Sequence, residues 1–383
     1  MKMENRKQHV VMNLVPGIIL SIFVMVIGIY GADILGKMLV SLGVLSPGSK
    51  TPISSIFVAI LLGIIIKNTT DVSRMFRSGI TFSVKYALRA GIILLGLRLS
   101  LVEALKLGAF GIPLIICCIF IGLSITIYLT RLMKQSERLG TLIACGTGIC
   151  GVTAIMATSP VIRAKENEIS YAIANITIFG LVGMALYPFL AHTFFADDPI
   201  KAGLFLGTSI HDTAQVTGAA LIYDQIFQSE EVVNVATVTK LTRNLFIIVI
   251  IPLVSYMFFK RENEGSGENT QVLPKWYTFI PLFVVGFLLL SLLRTVGDFT
   301  LTNSGEAFGF LAEHTWQSFY DSTSAFGTNY LLGMAMAGVG LSTDFKMFKG
   351  IGLKPFYIGF IAAVSIGCVS FLLVSLFGHL VVI

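Results

Sequence analysis

The sequence predicts an all-α polytopic membrane protein of about ten or eleven transmembrane segments, with inverted repeats and two discontinuous helices. Three observations carry that expectation. The first is composition: the 383 residues are 55% hydrophobic and only 13% charged, with a mean hydropathy of +0.85. A soluble domain keeps roughly a quarter of its residues charged, so this chain needs lipid as its solvent. The second is a pair of related motifs, GTGICGVTAIMA from Gly146 and GTSIHDTAQVTGA from Gly207, 61 residues apart. The third is a second self-match, GLRLSLVEALKLG from Gly96 against GLSTDFKMFKGIG from Gly340, at an offset of 244.

The elements follow in order. The basic N-terminus MKMENRKQHV precedes an apolar run from Val11 to Ile34. A secretory h-region is only about 7–15 residues long, so this run is a retained first helix. Further spans are expected at 53–67, 79–98, 109–130, 168–192, 233–258, 276–294, 324–341 and 356–380, by the requirement of about 20 apolar residues per crossing. The two motifs lie in additional stretches, 140–163 and 201–223. Residues 304–320, with Glu306, Glu313, His314 and Gln317 among aromatics, read as an interfacial amphipathic helix. The polar stretch beginning at Lys260 is a cytoplasmic linker over 260–275. It divides an N-terminal membrane part, 1–259, from a C-terminal part, 276–383, of one integrated transporter domain.

Basic residues orient the loops. Lys67, Arg74 and Arg77 mark a cytoplasmic loop, as do Arg131, Lys134 and Arg138, Lys260 with Arg261, and Lys346, Lys349 and Lys354. The N-terminus is then cytoplasmic, and the acidic stretches at 196–199 and 223–231 are external. The loops flanking the first motif are inside and those flanking the second outside, so each motif segment leaves by the face it entered, from opposite sides. The alternative is two full crossings. The same rule places the Gly96 and Gly340 copies on opposite faces, which is an inverted repeat, the usual build of secondary transporters.

A Gly-Thr break suits a solute site. Glycine leaves helical geometry at low steric cost, and the unpaired backbone groups survive in a membrane only against protein or a watery cavity. Half-helix N-termini carry partial positive charge and free donors. Thr147, Gly148, Cys150, Gly151 and Thr153 of the first motif, and Thr208, Ser209, His211, Asp212 and Gln215 of the second, are the candidate substrate-binding residues. Close helix packing by small residues is the competing explanation. Asp212 and Gln215 also have the D-x-x-Q spacing of a capping box, so Asp212 serves as cap, ligand or both. His211 is a proton carrier or a hydrogen-bonded structural residue. His211, Asp212 and Asn175 are the candidates for coupling to H⁺ or Na⁺.

Ionisable groups inside spans are costly and usually functional. Lys240 and Arg243 fall roughly 12 and 16 Å into their span and share a face by their i, i+3 spacing, so they complete the substrate-binding set. Lys85 and Arg89 form a similar pair. With Asp212 the clear acid at that depth, the balance is positive and points to an anion. Contact with backbone carbonyls or lipid phosphates is the competing role for all four cations.

The blocks at 145–180, LGTSIHDTAQVTGAA (206–220), TKLTRN (239–244), RAGIILLGLRLSL (89–101) and MAMAGVGLST (334–343) resemble the bacterial sulfate exporter family, also known as YeiH-type conserved hypothetical membrane proteins. The resemblance covers most of the chain and is weak over 260–320. It implies a plasma-membrane transporter of inverted units and broken helices, similar to bile-acid and 2-hydroxycarboxylate carriers. Two departures are visible: Val152-Thr153 where two small residues are expected, and Thr213 after His211-Asp212 where some members have His-Glu-Val.

The expected partners are a small anionic solute (sulfate, sulfonate or a related oxyanion or organic anion), a coupling H⁺ or Na⁺, and the bilayer, with a homodimer as a compatible assembly. The alternative is a cation-coupled carrier of a neutral or organic solute with Lys240 and Arg243 structural. Scattered basic residues form no nucleic-acid stripe. The five cysteines lack CxxC spacing, so neither a metal site nor a disulfide framework is expected. No nucleotide loop or nucleophile elbow is present, and neither an enzyme nor a cofactor is expected.

Overall fold

The computed structural model describes residues 2–41, 53–70, 72–263, 282–345 and 353–381. The chain is helical almost throughout, as its hydropathy requires: in lipid every backbone donor and acceptor needs a partner within the segment. In order, the helices are α1 (Lys2–Ser41), α2 (Ser55–Thr69), α3 (Arg74–Phe82), α4 (Leu88–Leu95), α5 (Leu101–Leu132), α6 (Glu137–Cys145), α7 (Val152–Thr158), α8 (Glu166–Phe195), α9 (Pro199–Ser209), α10 (Thr213–Phe227), α11 (Glu230–Leu245), α12 (Ile247–Asn263), α13 (Leu282–Ser304), α14 (Glu313–Phe326), α15 (Gly333–Ser342) and α16 (Leu353–Phe377). Three π-helical segments, Ser83–Ala87, Gly146–Cys150 and Gly327–Leu332, join α3 to α4, close α6, and join α14 to α15. Among the described residues, seven stretches are long and apolar enough to span a bilayer: Asn13–Leu39, Arg74–Arg98, Leu101–Leu132, Glu166–Phe195, Glu230–Val254, Leu282–Ser304 and Lys354–Leu380. α2 is a shorter apolar helix of 15 residues. Residues 260–263 of the expected linker continue α12, and the rest of it lies outside the described residues.

The chain forms two compact units that interleave in sequence. Unit 1 takes residues 1–105, 221–230 and 282–345, and unit 2 takes 106–220, 231–281 and 346–383.

Unit 1 is organised around two bent helical runs, 74–98 and 313–342. Phe82 stacks on Tyr86 at 5.0 Å in the first, and Phe326 meets Tyr330 at 5.6 Å in the second. A Cβ at Gly338 would lie 3.4 Å from Ser83 Cβ, and one at Gly327 would lie 2.9 Å from Leu94 Cβ. These two contacts are the same contact read at an offset of 244, since Ser83 matches Gly327 and Leu94 matches Gly338. The earlier residue of one run, Ser83, meets the later residue of the other, Gly338, and Leu94 meets Gly327, so the two cross antiparallel. Gly96 and Gly340, aligned in the sequence, share an environment too. A Cβ at Gly96 would fall 2.3 Å from the Phe287 carbonyl oxygen of α13, and one at Gly340 would fall 2.3 Å from the Ile60 carbonyl oxygen of α2. Only glycine permits either approach.

Residues 304–320 differ from the single interfacial helix expected. Two short strands, β1 (Glu306–Ala307) and β2 (Leu311–Ala312), pair antiparallel, and α14 starts at Glu313. Gly305 and Gly309, with φ of +77° each, allow the turns. Trp316 pins the excursion to α13: it donates Nε1 to Asp298 at 2.8 Å, and the Arg294 guanidinium, bound to the same carboxylate at 2.5 Å, lies over Tyr320. Buried packing of Trp316 on Gly297 turns this segment inward.

Unit 2 contains two helical hairpins. In the first, α6 and α7 fold back on one another at Gly151. A Cβ at Gly146 would lie 3.0 Å from Ile155 Cδ1; in a continuous helix these residues would be about 13 Å apart. Ser136, at the start of α6, bonds Glu168, at the start of α8, at 2.5 Å, so the hairpin leaves by the side it entered. The second runs through α9 and α10. Gly203 packs on Val235 and Gly207 on Thr239, so α9 and α11 run parallel from the same end, and α10 returns the chain to that end. α8 links the two hairpins and passes from the mouth of the first to the mouth of the second. They therefore enter from opposite ends of α8, and their tips meet near its middle, where Ile210 packs on Gly183 and Gln215 on Gly180.

Candidate functional site

The tips place four half-helix ends together. Helix C-termini leave carbonyls without partners and carry partial negative charge; N-termini leave N–H groups and carry partial positive charge. At the first tip, α6 and its π turn end at Cys150, and α7 begins at Val152. Between them Gly151 adopts φ +69°, ψ −130°. At the second, α9 ends at Ser209, Ile210 is extended, and α10 begins at Thr213.

The carbonyl ends are met by α11. Arg243 donates Nη2 to Thr147 O at 2.6 Å and Nε to Gly148 O at 3.0 Å, and Nη1 reaches Thr208 O at 2.6 Å and Ile210 O at 3.4 Å. Lys240 Nζ donates to Ile149 O at 3.2 Å, to Ile210 O at 3.0 Å and to His211 O. The ammonium thus spends its three protons on three carbonyls. Both side chains are fully buried, at 1% and 0% exposure. A buried cation without partners is prohibitive; here two helix C-termini supply the compensation. All three Lys240 protons and four of the five Arg243 N–H groups go to these backbone carbonyls, the competing role weighed above.

The N–H ends are met by one carboxylate. Asp212 accepts from Ala214 N at 2.9 Å, and the N–H groups of Val152 and Thr213 also bond it. Its own N–H donates to Gln215 Oε1 at 3.3 Å, which completes the capping box legible in the sequence. Gln215 Nε2 donates to Thr177 O on α8 at 3.2 Å. Asp212 therefore caps both returning half-helices. The formal charge of Lys240, Arg243 and Asp212 together is +1.

The predicted hydroxyls turn away from this centre. Thr147 Oγ1 donates to Ile143 O at 2.8 Å, and Ser209 Oγ to Phe205 O at 2.6 Å. Thr208 Oγ1 donates to Leu204 O and meets Ser370 Oγ on α16 at 2.6 Å. All three residues contribute to the crossing through their backbones or local bonds. Cys150 is buried in an apolar cluster with Ile119 and Ala154, and Gly148 contributes its carbonyl. Thr153 is exposed, and Asp212 and Thr213 are half-buried, so the open side of the crossing is formed by these three. The His211 ring bonds the Thr147 carbonyl, while its buried Nδ1 has no partner among the described residues. Asn175 donates to Tyr171 O at 3.2 Å and turns its Oδ1 toward Gly359 on α16. Lys85 and Arg89 are exposed in unit 1, and Arg89 lies over Phe283 at 5.8 Å; they form no buried cation pair.

Sequence reasoning missed the principal ligands of the cations, which are main-chain carbonyls and have no side-chain signature. Asn244 was within reach of it. It sits four residues after Lys240 on the same face, is buried, and donates Nδ2 to Thr213 Oγ1 at 3.1 Å.

An all-α chain with seven apolar spanning helices among its described residues and two opposed hairpins is a polytopic membrane protein. Residues 16–359 match the family model described as Conserved hypothetical protein 698, and the chain belongs to that family. It is 32% identical to a UPF0324 membrane protein of Fusobacterium nucleatum, covering 88% of this chain and 94% of that one. It is 33% identical to a UPF0324 membrane protein of Streptococcus agalactiae, covering 84% and 89%, and 32% identical to one of Bacillus anthracis, covering 84% and 87%.

Proposed function

We propose that the chain is a secondary active carrier that moves a small solute across the bacterial plasma membrane by alternating access around the Gly151–Asp212 crossing. Coupling to H⁺ or Na⁺ occurs at Asp212. One observation carries this reading: two opposed hairpins bring four half-helix ends to the middle of α8, and among the charged residues of that crossing only Asp212 is partly open. Broken helices meeting at mid-depth are the architecture of secondary transporters. Lys240 and Arg243 hold the crossing together, Asp212 carries the coupling ion, and Thr153 and Thr213 face the solute. His211, with its unpartnered Nδ1, is a second coupling group at the same place. The matched contacts of Gly96 with Gly340, and of Ser83 with Gly327, support an inverted pair in unit 1. The basic loops support a cytoplasmic N-terminus.

A second reading keeps an anionic cargo such as sulfate, a sulfonate or a carboxylate. It is favoured by the residual formal charge of +1, which a monoanion completes. Both readings are tested by thermal stabilisation of the purified protein across oxyanions, sulfonates, carboxylates and neutral amino acids, each at several pH values and Na⁺ concentrations, because a ligand of the folded state raises Tm. Stabilisation that depends on pH or Na⁺ and loses this dependence in Asp212→Asn supports coupling at Asp212. No stabilisation by any solute at any pH or Na⁺ level, in protein that is folded and monodisperse, overturns the carrier reading.

A further inference from the structure

Unit 1 holds a cavity of about 280 Å³ that takes no part in the hairpin crossing. This lies just below the usual range of ligand-pocket sizes, roughly 300–1,000 Å³, which limits the occupant to a small molecule. Met25, Ile56 and Ala59 form its apolar wall, and Ser55, Gln225 and Asn329 its polar one. No charged residue lines it among the described residues.

The polar groups are set up to donate. Gln225 Oε1 accepts from Ser54 Oγ at 2.7 Å, Ser55 Oγ at 3.3 Å and Ile56 N at 3.3 Å. That fixes its carbonyl end at the N-terminus of α2 and leaves the NH₂ end with no partner among the described residues. Asn329 sits in the π-helical segment Gly327–Leu332, midway along the run 313–342. A π turn inserts a residue and displaces it from the helical ladder, a device frequent at functional sites. Asn329 is exposed at the mouth of the cavity, and its amide makes no hydrogen bond among the described residues. Its counterpart at the offset of 244 is Lys85, so the two bulges present different chemistry at one position.

We propose that this cavity binds a small uncharged molecule with a carbonyl or hydroxyl oxygen, held by the amides of Gln225 and Asn329, with its apolar part against Met25, Ile56 and Ala59. With no charged side chain in its described lining, the site is matched to an uncharged molecule. The occupant comes either from the bilayer, as a lipid ester, or from water, as a free alcohol.

The probe is octan-1-ol carrying a diazirine on its chain, irradiated with the full-length protein in detergent micelles. The label is expected on peptides containing Ile56–Ala59 and Asn329–Gly333. Excess octan-1-ol should reduce it about fivefold or more, and sodium octanoate should not. Asn329→Leu removes the donor and Ile29→Trp crowds the cavity from an exposed position; each should lower the label similarly. If Asn329→Leu does not fold, Ile29→Trp alone decides. Competition by dioctanoylglycerol assigns the lipid source, and competition by hexane-1,6-diol alone assigns the aqueous one. Labelling spread evenly over the outer helices, equal competition by octanoate, or competition by neither source compound overturns the site. Because this readout needs no transport, it stands or falls separately from the carrier reading.

Discussion

Gly151 and Asp212 occupy adjoining space at the tips of two opposed hairpins: a Cβ on Gly151 would lie 2.8 Å from Asp212 Oδ2 and 3.0 Å from Asp212 Cα. The contact ties the break in one helix to the cap of the other. Gly151 also needs its φ of +69°, so both its backbone and its surroundings demand the absence of a side chain.

Gly151→Ala is therefore expected to destabilise the protein by roughly 1–3 kcal/mol or more. A lowered Tm in detergent measures it. Gly148→Ala is the comparison, since a Cβ there would meet Leu123 Cγ at 3.2 Å without requiring left-handed backbone. Equal Tm values for the two variants would contradict the role given to Gly151.

Arg243→Ala removes the donors that satisfy Gly148 O and Thr208 O and leaves Thr147 O to the His211 ring alone. Each orphaned buried carbonyl costs about 1–3 kcal/mol, so the expected outcome is loss of folded protein, read as yield of the monodisperse peak and Tm. Arg243→Lys should recover part of it, because an ammonium reaches fewer carbonyls than a guanidinium fork. A stable Arg243→Ala protein that has lost only solute binding would return Arg243 to the cargo site.

Asp212→Asn keeps an acceptor oxygen for Ala214 N–H but removes the charge that faces two helix N-termini. Its stability cost is expected to stay within about 1–2 kcal/mol, with Asp212→Ala costing more. The dependence of solute-induced stabilisation on H⁺ or Na⁺ should disappear in Asp212→Asn. Retention of that dependence moves coupling to another group, with His211 next in place.

Topology can be read directly. Gln135→Cys lies between α5 and α6, and Asp197→Cys between α8 and α9. In a cysteine-free background, a membrane-impermeant maleimide added to intact cells should label position 197 and leave 135 unlabelled until the membrane is opened. The opposite pattern inverts the assigned orientation.

Much of this fold is legible in the sequence because lipid leaves few choices. Long apolar runs become helices, and the Gly-Thr motifs flag the two segments that break, although the breaks themselves fall three to four residues later, at Gly151 and at Ile210–Asp212. The D-x-x-Q spacing of Asp212 and Gln215 announces a cap, and the structure forms it. The fate of the charges is not legible in the same way. Lys240 and Arg243 read as free donors in the sequence, because side-chain patterns do not show the main-chain carbonyls that fold up against them. Lys85 and Arg89 have nearly the same spacing and end exposed, since only tertiary packing decides which helix face is covered. The π turns are equally silent: Phe82–Leu88 and Phe326–Leu332 carry no helix-breaking residue beyond Gly327. The excursion at 306–312 follows from Trp316 finding Asp298, a pairing outside local periodicity.

The carbonyl-bound cations have an electrical consequence. A unit charge carried across the whole membrane field is worth about 2.3 kcal/mol per 100 mV. With Lys240, Arg243 and Asp212 summing formally to +1, an empty crossing that shifted through the field would respond to voltage. The same crossing holding a monoanion would move as a neutral body. Membrane potential would then bias the unloaded return step and leave the loaded step nearly untouched.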